Sequence, residues 1–206
     1  MSTRRTLAVV TAGLSQPSSS RLLADRLATA TADGLLEAGQ ETDVEVVELR
    51  EHAHAIVDAM LTRFPSGELA TALDTVTGAD GLVMVSPLFT TTYSGLFKSF
   101  VDVIDPDALT GKPVLLGATG GTSRHSLALD YSMRPLLTYL RTQVVPTAVF
   151  AATDDWAGQD GSDALTRRIS RAGRELAAAV ASRPAATGQD DPFGDTPDFA
   201  QLLGGS

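Results

Sequence analysis

Cysteine is absent from this chain of 206 residues, which removes disulfides, thiolate nucleophiles and cysteine-ligated zinc together and fits a reducing compartment. Long hydrophobic runs are absent too. The tightest apolar stretch near the N-terminus is residues 7–10, behind Arg4 and Arg5. It is too short for a signal sequence, and nothing approaches the ~20 apolar residues of a membrane span. A cytoplasmic protein without a membrane partner is therefore expected. Positive charge is in short supply: the formal net charge is −9, and the scattered Lys and Arg side chains make no concentrated basic surface for a nucleic-acid backbone. There is no G-x-S-x-G nucleophile elbow, no Walker lysine and no G-x-G-x-x-G spacing, which sets aside α/β-hydrolase chemistry, nucleoside triphosphates and ordinary Rossmann dinucleotide binding.

What is present suffices for one core. With 43% hydrophobic and 20% charged residues, the chain reads as one domain over residues 1–183 followed by a flexible acidic tail over 184–206. The tail carries Asp190, Asp191, Asp195 and Asp198 among Gly and Pro and has no basic residue, a composition that favours disorder. Docking of Phe193, Phe199, Leu202 and Leu203 on a neighbouring surface is the alternative.

Apolar, β-branched runs at 7–10, 44–47, 82–85, 114–116 and 144–150 alternate with amphipathic stretches. That alternation predicts an α/β fold, a five-stranded parallel sheet doubly wound with helices on both faces. Right-handed crossovers give it the flavodoxin-like order 2-1-3-4-5. Helices are expected from a Ser18 N-cap onward and over about 66–77, 94–104, 126–140 and 162–181. Segment 50–65 breaks the pattern and is expected to be an irregular lid or dimer contact.

Three strand ends run into loops of small and polar residues, and in such a sheet ligands bind at the carboxyl ends of the strands. After the first strand come Gly13, Ser15, Gln16, Pro17, Ser18, Ser19 and Ser20. Hydroxyls and orphan N–H groups at a helix N-terminus there suit a phosphate. Ser18 also reads as a plain helix cap with the other serines facing water, and the serines alone do not separate the two. After the third strand, Pro87, Leu88, Phe89, Thr90, Tyr93, Ser94 and Gly95 put ring faces beside amides, as a planar heteroaromatic ring would need. Taken alone they also read as a strand stop with rings filling a subunit contact. After the fourth, Thr119, Gly120, Gly121 and Thr122 would face that loop across the switch point, and small residues let a ligand approach the backbone.

Over residues 6–156 the chain resembles the NAD(P)H-dependent FMN reductases of the flavodoxin-like fold, nearest the alkanesulfonate monooxygenase reductases and the branch partnered with luciferase-like monooxygenases. The resemblance rests on Ala12-Gly13 with residues 17–23, on Ser86-Pro87-Leu88-Phe89 with residues 93–98, and on residues 118–122 with His125 and Asp130-Tyr131. It implies that Ser15, Ser18 and Ser20, with Arg21 beside them, hold the FMN phosphate. It also implies that Pro87 to Thr90 with Tyr93, Ser94 and Gly95 line one side of the flavin ring, and Thr119 to Thr122 with His125 the other. NADPH or NADH would supply hydride, and reduced flavin would pass to a monooxygenase. The chain departs from the pattern at Gln16, Ser20 and Phe89, where many relatives carry arginine, asparagine and tyrosine. Weaker phosphate binding would suit a flavin released at each turnover.

The remaining candidates are weaker. His125 either touches the flavin or nicotinamide or caps a helix, and the sequence leaves both open. His52 and His54 chelate a metal only if a strand sets them on one face, and no third ligand is evident, so no metal site is assigned. Asp154-Asp155-Trp156 reads as a solvated turn. Helix 126–140 has more apolar positions (Leu127, Leu129, Tyr131, Met133, Leu136, Leu137, Leu140) than one stripe needs, which points to a homodimer or homotetramer. Two rival functions use the same fold: a quinone or azo reductase that retains FMN, and an electron-carrier flavodoxin. Against the carrier stand the missing T-x-T-G-x-T loop and the single tryptophan, Trp156.

Overall fold

The computed structural model describes residues 3–156 and 159–184. The expected acidic tail, with Phe193, Phe199, Leu202 and Leu203, lies outside the described residues apart from Pro184. Seven strands appear among the described residues: β1 (Thr3–Thr11), β2 (Gln40–Glu48), β3 (Gly81–Phe89), β4 (Thr92–Tyr93), β5 (Pro113–Gly120), β6 (Gln143–Val144) and β7 (Val149–Ala152). The parallel path is β2-β1-β3-β5-β6; β4 folds back antiparallel on the end of β3, and β7 pairs with β5 beyond β6.

The central strands are apolar on both faces because both faces are covered. Ala8, Val10, Met84 and Leu116 point into one core with helices α2 (Ala53–Thr62), α3 (Glu68–Gly78), α4 (Gly95–Asp102) and α5 (Arg134–Tyr139). Leu7, Val9, Val83, Val85 and Leu115 point into the other, beneath α1 (Ser19–Glu37) and α6 (Gln159–Ala181). Those two helices lie close together, with Gly34 against Ala177 and Gly173 against the Ala30 backbone. No helix among the described residues is long and apolar enough to cross a membrane.

Three expectations are corrected. The five-strand order 2-1-3-4-5 becomes a seven-stranded sheet because the short hairpin strand β4 is added and the last strand is divided. Val114 faces Val144 and Gly117 faces Val149, so the outer segment carries extra residues and leaves the ladder between them. Pro146 has no N–H to give. The Thr147 N–H and hydroxyl donate instead to Glu175 at 2.7 and 2.8 Å. Arg134 donates to the carbonyls of Val145 and Pro146, both at 3.0 Å, so the break is satisfied from two helices. Burial alone would push the Glu175 carboxyl up, but the bonds from Thr147 and Arg171 outweigh it and hold the pKa below the ordinary value. Its contribution to stability is therefore present above the ordinary carboxylate range and is lost as pH falls through the lowered folded value.

Segment 50–65 is no irregular lid: a 3-10 turn over Leu49–His52 leads into α2, which buries Ile56 and Ala59. The expected helix over 126–140 is interrupted. A 3-10 turn (Ser123–His125) and a π-turn (Leu129–Met133) precede α5. Pro135 has no N–H and its ring crowds the carbonyl four residues back; the wider turn takes up the mismatch, the Arg134 N–H bonding Leu129 O. Met133 is fully buried there, whereas Tyr131 is 79% and Leu127 62% exposed. A charge at Met133 would therefore strike the core, and only Tyr131 and Leu127 of the expected contact residues point strongly outward.

Candidate active site

The β1–α1 loop, the end of β3 and the end of β5 meet at the carboxyl edge of the sheet. Between them lies a cavity of about 330 Å³, lined by Gly13, Leu14, Ser15 and Ser18 to Ser20, by Pro87, Leu88 and Phe89, by Thr119, Gly120 and Gly121, and by Thr153 after β7. Its volume is within the range of small-ligand sites, about 300–1,000 Å³. Thr153 was not expected from the sequence; its only sequence signal is its place just past the last strand.

Local geometry explains each wall. Ser18 caps α1, its Oγ accepting from the Arg21 N–H at 3.2 Å, and the amides before Arg21 belong to the orphan donors of a helix start. A Cβ on Gly13 would fall 2.0 Å from Ser18 Oγ, so any larger residue there would displace the capping hydroxyl. Ser20 is buried and its hydroxyl is 2.7 Å from the Thr119 hydroxyl. That bond joins the first loop to the third. It also makes Ser20 a seam residue, so a charge placed there would disrupt the seam as well as any phosphate.

In the second loop Leu88 pairs with Tyr93 and Phe89 with Thr92, so Thr90 and Thr91 form a two-residue hairpin tip. Both have positive φ, +51° and +77°, as such turns require but as β-branched residues rarely accept. Thr90 is exposed at this tip, outside the cavity lining. Tyr93 leans on Phe97 with ring centroids 5.8 Å apart. Ser94 is buried and caps α4, accepting from the Phe97 N–H at 3.1 Å, while its own N–H donates to Ser86 Oγ at 2.9 Å. Gly95 opens α4 on the exposed side. These residues hold the hairpin against the sheet without lining the cavity.

The third wall separates two glycines. A Cβ on Gly120 would meet the Phe150 ring at 3.0 Å, inside the core, whereas one on Gly121 would meet nothing within 4 Å. A side chain at Gly121, not Gly120, would therefore enter open space beside the cavity. Thr122 caps the following 3-10 turn, accepting from the Arg124 N–H at 3.1 Å, and His125 is exposed at the turn's end.

Arg21 turns away from the cavity to Asp25 at 2.8 Å and to Glu48, and the Asp25 bond leads the effects that raise its pKa further. His52 ends a 3-10 turn and His54 lies in α2, so no strand sets the pair on one face. Among the described residues no three His, Cys, Asp or Glu side chains gather as a metal group would. Asp154-Asp155-Trp156 forms a 3-10 turn in which Asp155 accepts from the Ala152 N–H at 2.8 Å and from Arg168 at 3.2 Å. That is a structural job.

A parallel sheet with β1 inside β2 and β3, helices on both faces and a loop-built cavity at the strand ends defines a flavodoxin-like α/β protein. The chain belongs to the NADPH-dependent FMN reductase family, whose model matches residues 5–157. An oxidoreductase from Corynebacterium diphtheriae superposes with TM-score 0.85 at 45% identity, covering 89% of this chain and 100% of that one. The FMN reductase (NADPH) of Pseudomonas aeruginosa is 35% identical over 149 residues, 71% of this chain and 76% of the relative. The NADH-dependent FMN reductase SfnE of Pseudomonas putida is 34% identical over 170 residues, 82% and 89% of the two chains. Membership makes the chain an oxidoreductase that works with FMN and a reduced nicotinamide.

Proposed function

We propose that the chain reduces FMN with NADPH or NADH in the cavity at the strand ends and releases the reduced flavin to a separate flavin-dependent monooxygenase in the cytoplasm. The observation that carries the reading is the joining of three loops around one cavity, with Ser20 bonded to Thr119 across the seam. Bound flavin supplies the hydride-accepting ring, so the protein's task is alignment and exclusion of water, with no acid or base needed. Ser15 and Ser18 with the free amides of the α1 N-terminus would hold the phosphate. Pro87, Leu88 and Phe89 would bear on one side of the ring and Thr119 to Gly121 on the other. Relatives named for NADPH and for NADH are equally similar, so both donors stay in the proposal. The direct test follows nicotinamide absorbance with purified protein and FMN, FAD or riboflavin in turn. No oxidation with any flavin would overturn the reading.

The phosphate assignment has its own test. Aspartate caps helices as well as serine, so Ser18→Asp keeps α1 intact while placing a negative charge where the phosphate would sit. FMN affinity should fall about tenfold or more, the 1.4 kcal/mol of one charge-assisted contact, with riboflavin affinity nearly unchanged. Equal losses for both ligands would remove the phosphate from this loop.

Exposed Tyr131, Leu127 and Tyr139 support a homo-oligomer built on this face. Tyr131→Asp should yield a smaller folded particle by light scattering. A folded assembly of unchanged mass would place the interface elsewhere.

A further inference from the structure

The loop that would hold the phosphate, residues 13–20, contains no cationic side chain, yet it is not without a cation nearby. Arg50, just past the end of β2, lies against the Gln16 side chain; with the Gln16 amide assigned so that its oxygen faces the guanidinium, that oxygen accepts from both Nη1 and Nη2, the Nη1 contact being 2.6 Å. Its Nε donates to Glu48 Oε2 at 3.0 Å, while the other oxygen of the same carboxylate takes Arg21. Glu48 is therefore a junction. One half-buried carboxylate holds two guanidinium groups, one following the loop and one reaching into it through Gln16.

We propose that Arg50 is the phosphate-discriminating residue of the flavin site and that Glu48 tempers it. Resting on the phosphate reading above, Arg50 acts from the turn after β2 through Gln16: it fixes the loop and brings to the α1 N-terminus a positive field that Glu51, 3.5 Å from Nη2, already offsets in part. Glu48 offsets that field and keeps FMN exchangeable. Two opposite effects follow, and a merely structural clamp produces at most the first. Removing the cation weakens FMN and leaves riboflavin alone, because only FMN carries the dianion. Removing the carboxylate's charge tightens FMN and again leaves riboflavin alone.

The test is flavin-fluorescence titration of the full chain with FMN and with riboflavin. Arg50→Ala should weaken FMN about tenfold, Arg50→Lys should recover much of it because a point charge still serves a phosphate, and Glu48→Gln should tighten FMN severalfold. Riboflavin should move little in all three, and the FMN effects should shrink in high salt. Parallel changes for FMN and riboflavin, or unchanged FMN in Arg50→Ala, would overturn the proposal. If Arg50→Ala does not fold, Glu48→Gln decides alone: tighter FMN at constant riboflavin supports the proposal, anything else sinks it. The Ser18→Asp variant separates the two levels. Should it discriminate FMN from riboflavin while the Arg50 and Glu48 variants do not, the phosphate is in the loop and only the Arg50 role fails; should it not discriminate, the phosphate reading itself fails.

Discussion

A folded Gly121→Val protein is expected to lose about a hundredfold in turnover, since roughly 1 Å of misplacement costs that much in a near-attack geometry. The position is chosen by direction. Gly121 lines the cavity, and a Cβ there points into space with no atom within 4 Å, so the protein has no reason to rearrange and, on the proposed reading, the added methyls would stand where ring or nicotinamide lies. Gly120 is the control. Its Cβ would press Phe150 at 3.0 Å, so Gly120→Ala should disturb the core and lower the melting temperature, with turnover following stability. Measuring turnover beside far-UV circular dichroism and thermal melts separates them. Full activity in a natively folded Gly121→Val protein would show that the third loop does not face the reacting rings.

Gly173→Ala should lower stability by about 2 kcal/mol, within the 1–3 kcal/mol typical of overpacking, although alanine is the better helix former by nearly 1 kcal/mol. The packing term wins because of what the Cβ meets: Ala30 C at 2.6 Å, its Cβ at 2.7 Å and its O at 2.8 Å. Main-chain atoms of a neighbouring helix cannot swing aside as a side-chain tip can, so α1 and α6 would have to part. For a domain of this size the loss corresponds to roughly 4–8 °C in Tm. Gly78→Ala, at the end of α3 with nothing within 4 Å, should be neutral or slightly stabilising. A Gly173→Ala protein as stable as the parent would mean that the two helices are not held this close in solution.

The parallel core was legible because its physics is written in the period of the chain. Leu7, Val9, Val83 and Leu115 are apolar on one face and Ala8, Val10, Met84 and Leu116 on the other, which only a sheet covered twice explains. The break at Pro146 was not read, since the groups that satisfy it, Glu175 and Arg134, are remote in sequence and ordinary in type. Helix α2 was missed because its buried positions, Ile56 and Ala59, sit among exposed apolar ones such as Val57, Met60 and Leu61, which blur the stripe. At the site, the three loops could be named because each follows an apolar strand run and the three occur together in order, though each alone also read as a cap or a strand stop. Which of their side chains turn inward could not: Ser94 and Thr122 look like contacts and are caps, and Arg21 looks like an anion ligand and pairs with Asp25 and Glu48. Orientation within a loop depends on partners far along the chain.

The Ser20–Thr119 bond spans 99 positions of sequence, and the cavity walls are drawn from residues 13–20, 87–89, 119–121 and 153. No partly folded intermediate that lacks β5 possesses the site, however much of the β1–β3 half has formed. A flavin bound there, as proposed, would meet only the completed protein, and its binding free energy would go wholly to the native state: at a hundredfold excess over Kd this adds about 2.7 kcal/mol. A reductase that released its flavin, as proposed, would also give up that stability, and between turnovers would rest on its own packing and hydrogen bonds.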